Sequence, residues 1–261
     1  MEHSRYLSAI RDESERFGAA LRVATASDPV PTCPGWAVAD LHWHLAEVQH
    51  FWSQVVGAGL VGGDVAEPDR PLDAHLAEFA ARSGTALLAA LAEHEPDDAC
   101  WSWSPDGHSV GWVARRQAHE ALIHRVDAEV AAGLPVTPPA VDLAADGVDE
   151  MLTVMLDGVP GEGDLTLDGT TVRLACTDTD DAWVLALGRF AGTRSSGDPY
   201  EIDVAALLAE DDGGDDDAVV SGSAWDLDRW LWGRGSLGAL TVEGDAGLLA
   251  RLRAMVVEAT Q

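Results

Sequence analysis

The spacing of apolar residues changes from helical to strand-like near Pro138-Pro139. Before this point, apolar residues recur every three or four positions, and Gly and Pro separate the periodic stretches. This pattern predicts four long helices, over residues of about 4–26, 37–60, 72–94 and 109–132. Four such helices with loops of modest length favour an antiparallel four-helix bundle.

After the two prolines, short stretches alternate between apolar and polar residues, as strands do. Residues 164–176 predict a β-hairpin with its turn at Asp168-Gly169, because Asp-Gly is a common two-residue hairpin turn. Further strands are predicted at 182–186, 218–222 and 239–243, and helices at 223–232 and 246–258. The chain is therefore predicted to be α+β, with a bundle over residues 1–137 and a smaller α/β domain over residues 138–261.

His44, Glu120 and His124 form the strongest candidate site in the sequence. Glu120 and His124 lie four residues apart in the fourth predicted helix, a spacing that places both side chains on one face. His44 lies in the second predicted helix, beside the apolar stripe that includes Leu41 and Leu45. Two imidazoles and one carboxylate suit zinc and leave one coordination position open. The alternative is that these are ordinary packed or exposed side chains, because short motifs often arise by chance. Periodicity does not decide which face of the fourth helix lies inward.

Composition excludes several classes of function. The net charge is −29 and all 16 basic residues are Arg, so the surface repels phosphate backbones and a nucleic-acid partner is not expected. No apolar run approaches the roughly 18 residues of a membrane span, and the N-terminus lacks the pattern of a secretion signal. We therefore expect no membrane association and a cytoplasmic location. The three cysteines are widely separated, which argues against a disulfide framework.

Several stretches of the chain resemble the mycothiol-dependent maleylpyruvate isomerase family. They are PTCPGW at 31–36, DL at 40–41, HL at 44–45, RQAHEALIHRVDAE at 116–129, WDLDRWLWGR at 225–234 and VEGD at 242–245. The resemblance implies a DinB-like four-helix bundle that carries a divalent metal, followed by a domain related to sterol-carrier folds. Carried over by motif, His44, Glu120 and His124 correspond to the metal ligands, and mycothiol is the implied thiol cofactor. We expect zinc first, although nickel, manganese and iron also tolerate this ligand set.

A metal centre of this kind predicts thiol chemistry. Zinc with three protein ligands can bind a thiol and keep it as a thiolate near neutral pH. The thiolate can add to an activated double bond, allow rotation and leave, which is cis–trans isomerisation. It can instead remain on the product or displace a leaving group, which is S-transfer, and both reactions share the first step. The expected partners are a small-molecule electrophile and a low-molecular-weight thiol.

The ligand set does not separate an isomerase from an S-transferase of detoxification or natural-product metabolism. A third alternative is a non-catalytic protein that keeps the three ligands while its second domain binds an apolar ligand. The sequence makes no prediction of oligomeric state.

Three further residues are candidates for supporting roles. Arg234, which follows Trp-Leu-Trp-Gly, is predicted to act in catalysis by binding an anionic substrate or cofactor. The alternative is an ordinary pair with the acidic surface, which contributes little stability when exposed. Arg125 and Asp127 are predicted to contribute to cofactor binding from around the ligands, and Asp127 can orient the imidazole of His124 from three residues away. The alternative for these two is an ordinary surface arrangement.

Overall fold

The computed structural model describes residues 1–58, 65–105, 107–156, 163–194, 196–209 and 216–259. It divides the chain into two compact units, Met1–Pro138 and Pro139–Gln261. The first unit is helical, and the second contains a sheet with helices. The predicted α+β class, with a helical bundle first and an α/β domain second, is confirmed.

Four long helices form the first unit. They are α1 (His3–Leu21), α2 (Val38–Gly57), α3 (Leu76–Ala92) and α4 (Val110–Ala131), with a short 3-10 turn at Asp73–His75 before α3. Helix α1 packs mainly along α4, and α2 packs mainly along α3, while α2 and α4 also meet. Within the described ranges, no helix combines the length and the apolar character that a membrane span requires.

The end of α1 differs from the predicted one, and the predicted end of the second helix cannot be compared with the structure. Helix α1 ends at Leu21 rather than near residue 26, because a turn follows in which the backbone N–H of Thr25 donates to Asp28 Oδ2 at 2.8 Å. The predicted end of the second helix, residue 60, lies outside the described residues, and α2 is assigned as far as Gly57.

The stretch at residues 31–36 determines where α2 begins. Gly35 has a φ of +88°, a left-handed conformation that glycine adopts without steric cost. Asp40 then caps the first turn of α2, because its Oδ2 accepts a hydrogen bond from the backbone N–H of Ala37 at 2.9 Å. This bond lowers the pKa of Asp40. The residues that precede His44 in the motif therefore fix its position along the bundle.

Helix α4 is buried on nearly all sides, including positions that carry charge. Arg125 is fully buried, and its Nε donates to Glu13 Oε2 of α1 at 2.7 Å. Its Nη1 donates to Glu129 Oε2 at 2.7 Å and to the carbonyl oxygen of Thr137 at 2.5 Å. One guanidinium thus joins α1, α4 and the end of the first unit.

The second unit is built on a five-stranded sheet. Its elements are α5 (Val141–Glu150), a π-helical segment (Met151–Leu156), β1 (Gly163–Cys176), β2 (Ala182–Thr193), β3 (Pro199–Leu207), β4 (Ala218–Gly222), α6 (Ala224–Leu231), a 3-10 turn (Leu237–Ala239), β5 (Thr241–Gly244) and α7 (Ala246–Ala259). The strand order is β3-β2-β1-β4-β5, with β1 and β4 parallel and the other neighbours antiparallel. Apolar residues of the central strands pack with those of α6 and α7 in one core.

The predicted hairpin turn at Asp168-Gly169 is wrong. Strand β1 runs through this dipeptide, and its pairing with β2 shifts register between Leu167 and Thr171. Asp168 Oδ1 accepts from the backbone N–H and the hydroxyl of Thr170, at 3.1 and 2.6 Å, so the dipeptide forms a bulge rather than a reversal. The chain reverses instead at residues 177–181, after which β2 begins. Helix α5 and strand β3 have no counterpart among the predicted elements.

The ion pairs of Arg125 are expected to contribute strongly to stability. We expect Arg125→Ala to lower the free energy of unfolding by about 3–5 kcal/mol, because it leaves Glu13 and Glu129 buried without their partner. Urea unfolding followed by circular dichroism measures this change. Arg82→Ala is the control, since it removes an exposed Arg–Glu pair on α3 (Arg82 Nη1 to Glu78 Oε1, 2.6 Å) and should cost less than about 1 kcal/mol. Equal losses in the two variants would contradict this prediction.

Candidate metal site

Three side chains converge where α2 meets α4. Oε1 of Glu120 lies 3.1 Å from Nε2 of His44 and 3.2 Å from Nε2 of His124. The two imidazole rings meet edge to face, with centroids 4.8 Å apart. Helix α4 supplies Glu120 and His124 from successive turns, as their spacing predicts, and α2 supplies His44. The structure therefore brings together the three residues that the sequence singles out.

The donor atoms of this cluster fit a divalent metal ion. One ligand atom from each of the three residues lies within 4.8 Å of the other two. The donors are two imidazole nitrogens and a carboxylate oxygen, a set that binds zinc and similar ions in catalytic sites. The side chain of His44 is 33% exposed, compared with 16% for Glu120 and 11% for His124, so the cluster is open on the α2 side.

The electrostatics of the cluster also favour a cation. Burial by itself would raise the pKa of Glu120, but Arg116, His124 and His44 outweigh it and hold that pKa well below its usual range. Burial by itself would lower the pKa of His124, but the carboxylates of Glu120 and Asp127 raise it to about 9. In the metal-free chain at neutral pH, a proton on His124 therefore supplies the positive charge that the carboxylates favour.

Two buried residues hold the ligands in orientation. Oδ2 of Asp127 is 2.9 Å from Nδ1 of His124, so a hydrogen bond there directs Nε2 towards Glu120. Asp127 is fully buried and also accepts from the thiol of Cys33, with Sγ and Oδ2 3.4 Å apart. Arg116, which is 5% exposed, donates from Nη2 to Oε2 of Glu120 at 2.5 Å. Arg116 lies four residues before Glu120, and this Arg–Glu spacing is the signal that would have identified it in the sequence.

Trp36 packs against both histidine ligands. Its ring centroid is 4.9 Å from that of His44 and 6.3 Å from that of His124, with the latter pair stacked at 23°. Trp36 comes from the turn that precedes α2 and is half-buried. It forms an apolar wall beside the imidazoles, which limits their rotation and their access to water.

The other two predicted site residues have partners within their own units. Arg125 is adjacent to His124 in sequence, but its guanidinium is fully buried in the ion pairs with Glu13 and Glu129. Arg234 belongs to the second unit, where it follows α6 and its Nη1 donates to the carbonyl oxygen of Trp232 at 2.7 Å. Of the three supporting candidates, the structure brings Asp127 to the ligands and directs Arg125 away from them.

The fold and the cluster define a protein with a helical bundle that carries a candidate three-ligand metal site, followed by an α/β domain. Comparison with protein families then places the chain. Residues 7–129 match the model described as mycothiol maleylpyruvate isomerase N-terminal domain, and residues 142–251 match the C-terminal domain of the same family. The chain belongs to the mycothiol-dependent maleylpyruvate isomerase family, as the sequence motifs predict.

Solved structures agree with this assignment at the level of fold. The mycothiol-dependent maleylpyruvate isomerase aligns with a TM-score of 0.58 and 16% identity, covering 94% of this chain and 95% of that one. A histidine-to-alanine mutant of the same enzyme aligns with a TM-score of 0.59, at the same identity and coverage. A comparison with curated protein sequences finds no significant match.

The hydrogen bond from His124 to Asp127 predicts an effect on metal binding. We expect Asp127→Asn to weaken zinc affinity by about 10- to 100-fold. The neutral amide holds the imidazole ring of His124 in the required orientation less well than the carboxylate does. It also makes the Nε2 atom of that ring less basic. Competition with a chromophoric chelator measures the affinity. Asp12→Asn, which neutralises an exposed carboxylate of α1, is the control and should leave the affinity unchanged. An affinity within twofold of the wild type would show that Asp127 does not act on the ligand.

The raised pKa of His124 predicts that metal binding depends on pH. Between pH 7 and 8.5, zinc must displace the proton of His124, so its apparent affinity should rise about tenfold per pH unit. Without metal, the stabilisation that comes with the raised pKa is present below pH 6.5 and is lost as the pH rises through about 9. Calorimetry in buffers of different ionisation enthalpy counts the protons released. His94→Gln, which removes a histidine of a surface pair with Asp98, is the control. Zinc binding at neutral pH without proton release would contradict the prediction.

Proposed function

We propose that this chain catalyses the mycothiol-dependent cis–trans isomerisation of a small unsaturated keto acid of the maleylpyruvate type, with a divalent metal held by His44, Glu120 and His124. The observation that carries the proposal is the convergence of both histidine Nε2 atoms on one oxygen of Glu120, at 3.1 and 3.2 Å. Membership of the isomerase family supports the reaction class. Zinc is the metal that this donor set favours.

The bound metal would supply one chemical function, which is to stabilise the thiol of mycothiol as a nucleophilic thiolate near neutral pH. Cys33 brings a thiol of the chain itself beside the cluster, with its Sγ within 4.8 Å of a ring nitrogen of His124 and a carboxylate oxygen of Asp127. This thiol donates to Oδ2 of Asp127 at 3.4 Å, so it is already engaged with the carboxylate that orients His124. A thiol cofactor therefore complements what the chain provides.

The side chains around the cluster have separable roles. His124 presents a neutral nitrogen once it has lost its proton, His44 supplies a second imidazole nitrogen, and Glu120 supplies the negative charge of the ligand set. Asp127 keeps His124 in one orientation through Nδ1. Trp36 covers one side of both rings with apolar surface, which excludes water from the ligand atoms and so strengthens their interaction with a cation.

Arg234 remains a candidate for binding an anionic group of the substrate or of mycothiol. It is half-buried in the second unit, and its positive charge contributes to the lowered pKa of Arg253, for which burial is the larger cause. Two guanidinium groups close enough to affect each other offer positive charge in a chain whose net charge is −29. Guanidinium groups bind carboxylates through charge-assisted hydrogen bonds, which is the role we propose for Arg234.

The fate of the mycothiol thiol distinguishes isomerisation from S-transfer. We expect the zinc-loaded chain to convert the cis substrate maleylpyruvate to its trans isomer while the concentration of free mycothiol stays constant, because the thiol leaves after rotation. Absorbance or NMR follows the isomers, and a thiol-specific reagent counts free mycothiol. His44→Ala should lose metal and activity together, whereas His94→Gln should keep both.

Two results would overturn this proposal in different ways. Loss of one mycothiol per product molecule would identify an S-transferase. Full activity in the chain freed of metal would remove the metal from the proposal while leaving the isomerase activity in place.

A further inference from the structure

The two oxygens of the Glu120 carboxylate have different partners. Oε1 lies between the histidines, 3.1 Å from Nε2 of His44 and 3.2 Å from Nε2 of His124. Oε2 instead accepts from Nη2 of Arg116 at 2.5 Å. The carboxylate is thus divided, with one oxygen in the metal cluster and the other in a buried ion pair.

The hydrogen bond between Arg116 and Glu120 belongs to a strong class of hydrogen bond. It joins two charged groups at short distance, and hydrogen bonds between ionised partners are about twice as strong as neutral ones. Arg116 is 5% exposed and the Glu120 side chain 16%, so water competes weakly for either group. The bond also closes one helical turn of α4, because the two residues are four positions apart, and the backbone helps to hold its geometry.

A carboxylate can offer a metal ion one oxygen or two, and the number matters for catalysis. A second oxygen would occupy a coordination position that an incoming thiol needs, since catalytic zinc sites work by keeping one position open. An oxygen that already accepts from a guanidinium is a weaker metal ligand, because the guanidinium withdraws electron density from it and its positive charge repels the metal ion.

We propose that Arg116 is a positioning residue that restricts Glu120 to a single oxygen donor and thereby keeps a coordination position available for the thiol. This inference rests on the proposed function, because it concerns how the same metal site admits its cofactor. A positioning role for Arg116 and a role in merely neutralising the charge of Glu120 predict different results in one experiment. Removing Arg116 should impair thiol binding to the metal more than binding of the metal itself.

Cobalt substitution can test this consequence directly. Co²⁺ replaces zinc in such sites, its visible absorption weakens as the coordination number rises, and a bound thiolate adds a charge-transfer band in the near ultraviolet. We expect the wild-type chain to bind Co²⁺ and to develop that band when mycothiol is added. Arg116→Met should still bind Co²⁺ with a weaker visible spectrum, and should require at least tenfold more mycothiol for half-saturation of the band.

Matched variants separate positioning from structural damage. Arg116→Lys retains a cation that can hold Oε2 and should restore most of the thiol response. Arg82→Met removes the exposed Arg82–Glu78 pair, which has the same four-residue spacing, and should match the wild type. If Arg116→Met does not fold, Arg116→Gln serves the same test, because its amide lacks the charge that holds the carboxylate.

The outcomes distinguish this inference from the proposed function. A mycothiol midpoint in Arg116→Met within twofold of the wild type overturns the inference alone. Loss of Co²⁺ binding in both the Met and the Lys variants assigns Arg116 to holding the site together and also overturns it. A wild-type chain that binds no Co²⁺, or binds it without a thiol response, overturns the proposed function and the inference with it.

Discussion

The structure of the first unit depends on the burial of a charged helix. Charge removed from water is costly unless a partner of opposite sign is present. Helix α4 carries several ionisable side chains that are buried or half-buried, and each of the five named next is paired, either with another residue of α4 or with one on a neighbouring helix. The ionisable residues in question are Arg116, Glu120, His124, Arg125 and Asp127. Two of the contacts cross to other helices, Arg125 to Glu13 of α1 and Glu120 to His44 of α2, and these restrict how α4 can rotate or slide against α1 and α2.

The same pairing creates the candidate site. On one side of α4, Arg125 is neutralised by Glu13 and Glu129, and that face serves stability. On the other side, Glu120 and His124 face α2, where His44 completes a set of three donors. Burial alone would lower the pKa of His124, but the carboxylates of Glu120 and Asp127 raise it to about 9, so at neutral pH the cluster holds a proton. A buried site that stabilises a proton also stabilises other cations, so a divalent metal ion can bind there by displacing the proton.

Around the candidate ligands, each supporting residue restricts one feature of the site. Asp127 orients His124, Arg116 occupies the second oxygen of Glu120, and Trp36 covers the imidazole rings. The capped start of α2, set by Asp40, fixes where His44 stands. Such supporting contacts commonly decide whether a metal binds tightly and with what reactivity. The chain belongs to the isomerase family, and these contacts give its candidate metal site a physical basis.

The sequence by itself determined the class of fold, the four long helices and the three candidate donor residues that the structure brings together. It could do so because helical period, strand alternation and the four-residue spacing of Glu120 and His124 are local properties of the chain. Other features needed the tertiary structure. The Asp168-Gly169 dipeptide suits a hairpin locally, yet continuous pairing of β1 with β2 makes it a bulge. The three-residue spacing of His124 and Asp127 already predicts their contact, but only the packing of α4 against α1 sends Arg125 to Glu13. Partner choice across a buried interface depends on which helix faces which, and neither spacing nor composition encodes that directly.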